Sequence, residues 1–252
     1  MARNLVAAAN DNLETAFRRL AENTPDGATR QFGPLVVGSA GLPVPIYNRV
    51  FVFESPSRDD LAAAVAWLEE RDLPYWVTVV ESAVERFERL RDDLGLAKAV
   101  TQPGMVMPTL QRIPSNESSA AISEVTDLDE LDDFVQVAAS AFETPLEVAK
   151  TVYRAALAGD EIRLFFQRVD GQPAACGLLI QSEDVAGVYT IGVVEAFRRQ
   201  GIGEAMTWKV LRAGRDAGCQ MGVLQSSEMA YPLYQKMGFE TVVTYHQFEP
   251  AA

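Results

Sequence analysis

A chain of 252 residues, 48% hydrophobic and 23% charged, has the length of one large or two modest folded domains and excludes a mainly disordered, collagen-like or coiled-coil protein. Its net charge of −13 argues against a nucleic-acid backbone or an anionic membrane as main partner and makes a cationic or amine-bearing substrate electrostatically easier. Two cysteines without C-x-x-C spacing (Cys176, Cys219) and one histidine (His246) point to no metal site, disulfide scaffold or serine triad; with no signal peptide and no apolar run of membrane-spanning length, a cytoplasmic protein is expected.

Along the chain, residues 4–22 read as a helix that ends before the turn Thr24-Pro25-Asp26-Gly27, and extended segments follow at 32–39 and 48–53. Leu61, Ala64, Val65 and Leu68 have the spacing of a helix with one buried face. Then come a strand at 75–80, a charged helix at 82–94 and two short strands within 96–110, divided at Pro103-Gly104. Residues 111–119, with Pro114-Ser115-Asn116, have linker composition. Beyond them the pattern is strand 121–125, helix 128–142, helix 145–158 and strand 162–169. A hairpin turn at Asp170-Gly171 leads into strands at 174–181 and 187–194. A helix from Gly201, a strand at 221–224, a short helix to Met237 and strands within 239–248 complete a mixed α/β pattern.

The two halves match each other. Val52-Phe53-Glu54 aligns with Val193-Val194-Glu195 at an offset of 141 residues, which also sets Leu61, Ala64 and Val65 on Ile202, Ala205 and Met206. Gly95-Leu96 and Val100-Thr101 align with Gly238-Phe239 and Val243-Thr244 at an offset of 143. The shared order of strand, helix, strand, helix, strand predicts a duplicated unit.

The segment richest in chemistry runs from Ile191 to Ala205 and holds Arg198-Arg199-Gln200-Gly201-Ile202-Gly203. A strand enters a loop with two glycines at the start of an amphipathic helix. Glycine allows close approach of a bulky anion, and the free N–H groups of a first helical turn offer donors at the positive end of the dipole. A pyrophosphate suits that geometry, as does a plain strand-to-helix turn. The Rossmann fingerprint is excluded by Met206 at its third glycine position, and the P-loop by the lack of Gly-Lys-Ser/Thr.

This segment resembles the R/Q-x-x-G-x-G/A motif of the GNAT acetyltransferase superfamily. A second segment, Ser227 to Phe239, is similar to that family's N-x-x-A-x-x-L-Y-x-K-x-G-F pattern, with Ser227 in place of the asparagine. The resemblance spans residues 120–248 and implies that acetyl-CoA lies between splayed strands. Its pyrophosphate would rest on the amides of Arg199, Gln200, Gly201, Ile202 and Gly203, with Val193 and Val194 beside the pantetheine and Ser227 beside the cofactor arm. Arg198 would shape the loop or face the phosphates. The Val193 backbone would polarise the thioester carbonyl, and Tyr234, protonated at neutral pH, would serve as general acid toward the departing thiolate. The base is open among Glu143, Glu183, Asp184, Glu228 and water. His246 either faces the acceptor pocket or is an ordinary strand residue.

The expected architecture is α/β (α+β), with two GNAT-like domains, each a mixed, mostly antiparallel sheet flanked by helices. Residues 1–114 would be a degenerate copy, 115–119 a linker and 120–252 the catalytic domain. In the first copy the motif falls on Ser57-Arg58-Asp59-Asp60-Leu61-Ala62, where aspartates would repel a pyrophosphate, and Tyr234 corresponds to Arg91. The implied activity is direct acetyl transfer from acetyl-CoA to a small-molecule or peptide amine, without metal, nucleic acid or membrane. Whether two chains pair as a homodimer is left open. A non-catalytic acyl-CoA sensor and an enzyme for a different acyl-CoA are the alternatives, the latter governed by space beside Ile191 and Leu224.

Overall fold

The computed structural model describes residues 4–114, 122–159 and 161–251. The expected linker at 115–119 lies outside the described residues. The first half contains α1 (Leu5–Asn23), β1 (Ala28–Phe32), β2 (Leu35–Ser39), β3 (Asn48–Val52), α2 (Arg58–Glu69), β4 (Trp76–Val80), α3 (Glu81–Arg91) and β5 (Leu96–Met107). The second contains β6 (Ile122–Glu124), α4 (Leu128–Ala141), α5 (Leu146–Leu157), β7 (Ile162–Val169), β8 (Gln172–Ser182), β9 (Val185–Val193), α6 (Ile202–Asp216), β10 (Met221–Gln225), α7 (Tyr231–Met237) and β11 (Glu240–Pro250).

All the described strands join one mostly antiparallel sheet in the order β1-β2-β3-β4-β11-β5-β10-β9-β8-β7-β6. Only β3/β4 and β9/β10 run parallel within it. The strands are buried on alternating sides, as period-two side-chain geometry requires. On β7, Leu164 and Phe166 pack with Phe134 and Tyr153 of α4 and α5, whereas Phe165 joins Met206 and Val210 of α6 on the other face.

Two strands cross between the halves. β5 lies between β10 and β11, while β11 lies between β4 and β5. The β5/β11 register sets Gln102 opposite Tyr245, residues that the 143-residue offset makes equivalent. Each strand thus leaves its own helix, α3 or α7, and ends against the other half.

The expected break at Pro103-Gly104 is absent, and β5 is one strand of 12 residues. Pro103 lacks an N–H, but its carbonyl accepts from the Ser226 N–H at 3.0 Å, and a bulge between Thr241 and Val243 of β11 absorbs the irregularity. At Gly104 a Cβ would come within 2.5 Å of Val243 and 2.6 Å of the Tyr245 ring, so close approach of β11 explains the glycine. The strand-rich end of the chain is likewise a single strand, β11.

Helix α1, from the first half, is pinned across both. Asn12 Nδ2 donates to Ser182 Oγ at 2.7 Å and to the Ile180 carbonyl at 3.2 Å, and the Tyr189 hydroxyl donates to Asn12 Oδ1 at 2.7 Å. The Tyr245 hydroxyl donates to Asn10 Oδ1 at 2.8 Å. These buried polar groups satisfy one another and fix the helix over the sheet.

Candidate functional site

The parallel strands β9 and β10 pair only over Val185↔Met221, Ala186↔Gly222 and Gly187↔Val223. Beyond Gly187 they part. A register shift against β8 follows between Tyr189 and Gly192, and Thr190 takes the left-handed conformation (φ 52°) inside β9, which turns the rest of the strand away from β10. A wedge opens toward the loop that follows.

That loop is a short 3-10 turn (Glu195–Phe197), then Arg199 at φ 60° and Gly201 at φ 79°, after which α6 begins. Among the described residues no side chain caps α6. Its first-turn N–H groups therefore face outward at the positive end of the helix dipole. Arg198 Nε donates to the Val193 carbonyl at 3.1 Å and ties the loop back to β9. Among the described residues, a Cβ at Gly203 would meet only Val193 Cγ2, at 3.6 Å, an ordinary contact that does not demand glycine.

Wedge and loop open into a cavity of about 1320 Å³. Of the residues expected at the site, Val193, Arg198, Arg199, Gly201, Ile202, Gly203, Ser227 and Tyr234 line it. Val194 and Gln200 do not: the Val194 N–H donates to the Ala174 carbonyl, and Gln200 turns back on the Ala196 carbonyl. Ser227 Oγ accepts from the Ala230 N–H at 3.3 Å, which helps start the turn into α7.

Tyr234 reaches the cavity from α7 with its ring edge-on to Phe239, centroids 5.7 Å apart. Burial pushes its phenol up to about 12, partly offset by a hydrogen bond with Thr207 of α6. Thr207 in turn donates to the Gly203 carbonyl at 2.8 Å, which connects the phenol to the glycine loop. Burial pushes the thiols of Cys176 and Cys219 up to about 12 and about 11, so neither supplies a thiolate at neutral pH.

The candidate bases Glu143, Glu183, Asp184 and Glu228 are not among the lining residues, and neither is His246. His246 lies on β11 in the fields of Lys98, Glu81 and Glu88, on the side of α3. What the sequence did not single out is the set of residues on the opposite wall. Phe17, Tyr47, Arg49, Trp76 and Gln102, all from the first half, line the same cavity as the glycine loop.

The matching region of the first half is closed. β3 and β4 stay paired over Arg49↔Trp76, Val50↔Val77, Phe51↔Thr78 and Val52↔Val79. Helix α2 is capped by Ser57, whose Oγ accepts from the Asp60 N–H at 3.1 Å and donates to the Asp60 carboxylate at 2.6 Å. The anion-favouring end of α2 thus already carries the carboxylates of Asp59 and Asp60.

Residues 121–225 match the family model described as an acetyltransferase (GNAT) domain. Glucosamine 6-phosphate N-acetyltransferase of Trypanosoma brucei brucei is 29% identical over an alignment of 89 residues that covers 32% of this chain and 60% of that enzyme. Among solved structures, a GCN5-related N-acetyltransferase from Kribbella flavida superimposes with a TM-score of 0.73 at 18% identity, covering 97% of this chain and 96% of that one. A tandem GNAT protein from the clavulanic acid biosynthesis pathway gives 0.61 at 15% identity, covering 95% and 88%. The fold is therefore that of GCN5-related N-acetyltransferases along nearly its whole length, and residues 121–225 carry the match to the acetyltransferase (GNAT) domain.

Proposed function

We propose that this chain is an N-acetyltransferase that moves the acetyl group of acetyl-CoA directly to a primary amine, with both substrates in one cavity. The observation that carries this reading is the wedge between β9 and β10, which brings the uncapped start of α6 and the phenol of Tyr234 into a common space. The residues suit a pyrophosphate-bearing thioester. Gly201 holds the left-handed turn, Gly203 leaves room beside Val193, and the first turn of α6, with no side-chain cap among the described residues, offers its N–H groups to an anion.

Bound acetyl-CoA supplies an activated acetyl group. Tyr234 holds a proton for the sulfur as the carbon–sulfur bond breaks, and its high pKa keeps that proton in place at neutral pH. The amine sheds its own proton to water, since among the described residues the only carboxylates lining the cavity, Glu195 and Glu204, sit at the glycine loop.

The first half, residues 1–114, reads as a degenerate copy of the catalytic unit 120–252 and binds no CoA. Three observations support this: the equivalence of Gln102 and Tyr245 across β5 and β11, the unbroken β3/β4 pairing and the aspartates at α2. Its contribution is the acceptor wall.

Calorimetric titration with acetyl-CoA should show one site per chain, and thiol release should follow when an amine panel is added. Glucosamine 6-phosphate, for which the trypanosome relative is named, belongs in that panel. Two sites would overturn the degenerate-copy reading; no binding would reduce the glycine loop to a turn.

A further inference from the structure

Strand β3 reads Asn48-Arg49-Val50-Phe51-Val52, and a charged side chain in so apolar a strand needs a physical reason. Arg49 is 3% exposed, yet it lines the cavity. Its guanidinium lies 4.1 Å from the centroid of the Phe17 ring and 5.1 Å from that of Trp76. Nε donates to the Ile46 carbonyl at 2.9 Å. Among the described residues no carboxylate forms an ion pair with Arg49, and no hydrogen bond is made by its two terminal nitrogens. Burial without a counter-charge lowers the guanidinium to about 9, although it stays cationic at neutral pH.

The distribution of charge around the cavity sharpens the point. Its other charged lining residues, Glu195, Arg198, Arg199 and Glu204, all belong to the turn before α6 or its first residues. Away from that turn the wall is uncharged, with Arg49 the one charged side chain among the described residues. A buried unpaired cation is costly, whereas a planar guanidinium with free N–H groups matches a carboxylate or phosphate in a two-pronged contact. The aromatic faces of Phe17 and Trp76 hold the fork in plane but neutralise none of its charge.

Resting on the acetyltransferase reading above, we propose that Arg49 docks an anionic group on the acceptor, so that the substrates are amines carrying a carboxylate or phosphate. The net charge of the chain suggests cationic acceptors; the local field of this wall favours the opposite. The first half would then select the substrate while the second half handles the acetyl donor.

Two measurements test this. In the first, the full-length protein is titrated with phenylacetate, inorganic phosphate and phenethylamine, with and without saturating acetyl-CoA. Binding of phenylacetate or phosphate is expected, with no binding of phenethylamine, and the anion that binds identifies the acceptor's group. Arg49→Gln should abolish this binding and Arg49→Lys should recover part of it, while acetyl-CoA affinity stays within about twofold of wild type. Failure of both anions to bind wild type would overturn the subsite, and this arm reads independently of whether acetyl-CoA binds.

In the second, thiol release is compared for phenylalanine against phenethylamine and for glucosamine 6-phosphate against glucosamine, with spermidine as a polycation. An anionic member should exceed its neutral counterpart in kcat/KM by about 100-fold, the scale of one hydrogen bond to a charged group. Arg49→Gln should remove that preference through KM. Equal use of both members, preference for spermidine, or an equal loss on both members in Arg49→Gln would show that Arg49 serves only the fold.

Discussion

Tyr234 and Gly203 are connected through Thr207, yet each has its own signature. Tyr234→Phe keeps the ring against Phe239 and removes only the hydroxyl, so the protein should stay folded and lose about 1 kcal/mol from the missing hydrogen bond. Turnover in thiol release should fall about 100-fold, the usual contribution of a positioned proton donor, with acetyl-CoA affinity unchanged. An unaltered kcat would remove the phenol from the mechanism. Gly203→Ala separates ligand contact from stability. The added methyl meets Val193 at an ordinary distance inside a helix, where alanine is favoured over glycine by up to about 1 kcal/mol. The melting temperature should hold or rise while acetyl-CoA binding weakens about tenfold, some 1.4 kcal/mol; unimpaired binding would show that no ligand approaches there. The glycine loop was legible because its residues are consecutive. Phe17, Arg49 and Trp76 were not, since they meet only after three separate elements fold together, and the one hint was an arginine inside an apolar strand.

Helix α2 was legible from its spacing because it buries a single stripe, Leu61, Ala64, Val65 and Leu68, against the sheet. β5 was misread since Pro103 and Gly104 signal a turn locally, whereas the irregularity is absorbed by β11, a neighbour nearly 140 residues away in sequence. The same long-range pairing sets the behaviour of His246. Desolvation and then Lys98 lower its pKa below the usual 6.5, and neither ring nitrogen finds a hydrogen-bond partner among the described residues. The unfolded chain therefore takes up a proton near 6.5 before the folded one does, so stability is complete above that pH and declines as pH falls toward the folded pKa. As this is the chain's one histidine, the slope of melting temperature between pH 7 and 5.5 belongs largely to it. His246→Gln should flatten that slope without altering thiol release at pH 7.5. An unchanged slope would mean that the imidazole accepts its proton equally well in the folded protein.

At the scale of the molecule, the exchange of β5 and β11 makes each half incomplete without the other. β10 has β5 as its antiparallel neighbour, and β11 is flanked on both sides by strands of the first half, β4 and β5. Helix α1 adds buried hydrogen bonds from the first half to β8, β9 and β11. A fragment of residues 122–251 would expose the edge of β10 and leave β11 with no strand beside it, the unpaired condition that drives strands to aggregate. It should be insoluble alone and recover solubility when co-expressed with residues 1–114. The intact chain should unfold in one calorimetric transition with matching van't Hoff and calorimetric enthalpies, although its length would allow two. Acetyl-CoA at about 100 times its Kd stabilises the native state by about 2.7 kcal/mol, and interlocked halves must share that gain, so the whole transition should move upward together by several degrees. A soluble 122–251 fragment that binds acetyl-CoA, or a first-half transition that stays in place while the second moves, would show that the shared strands do not couple the halves. The acceptor wall would then have to be held by local contacts alone.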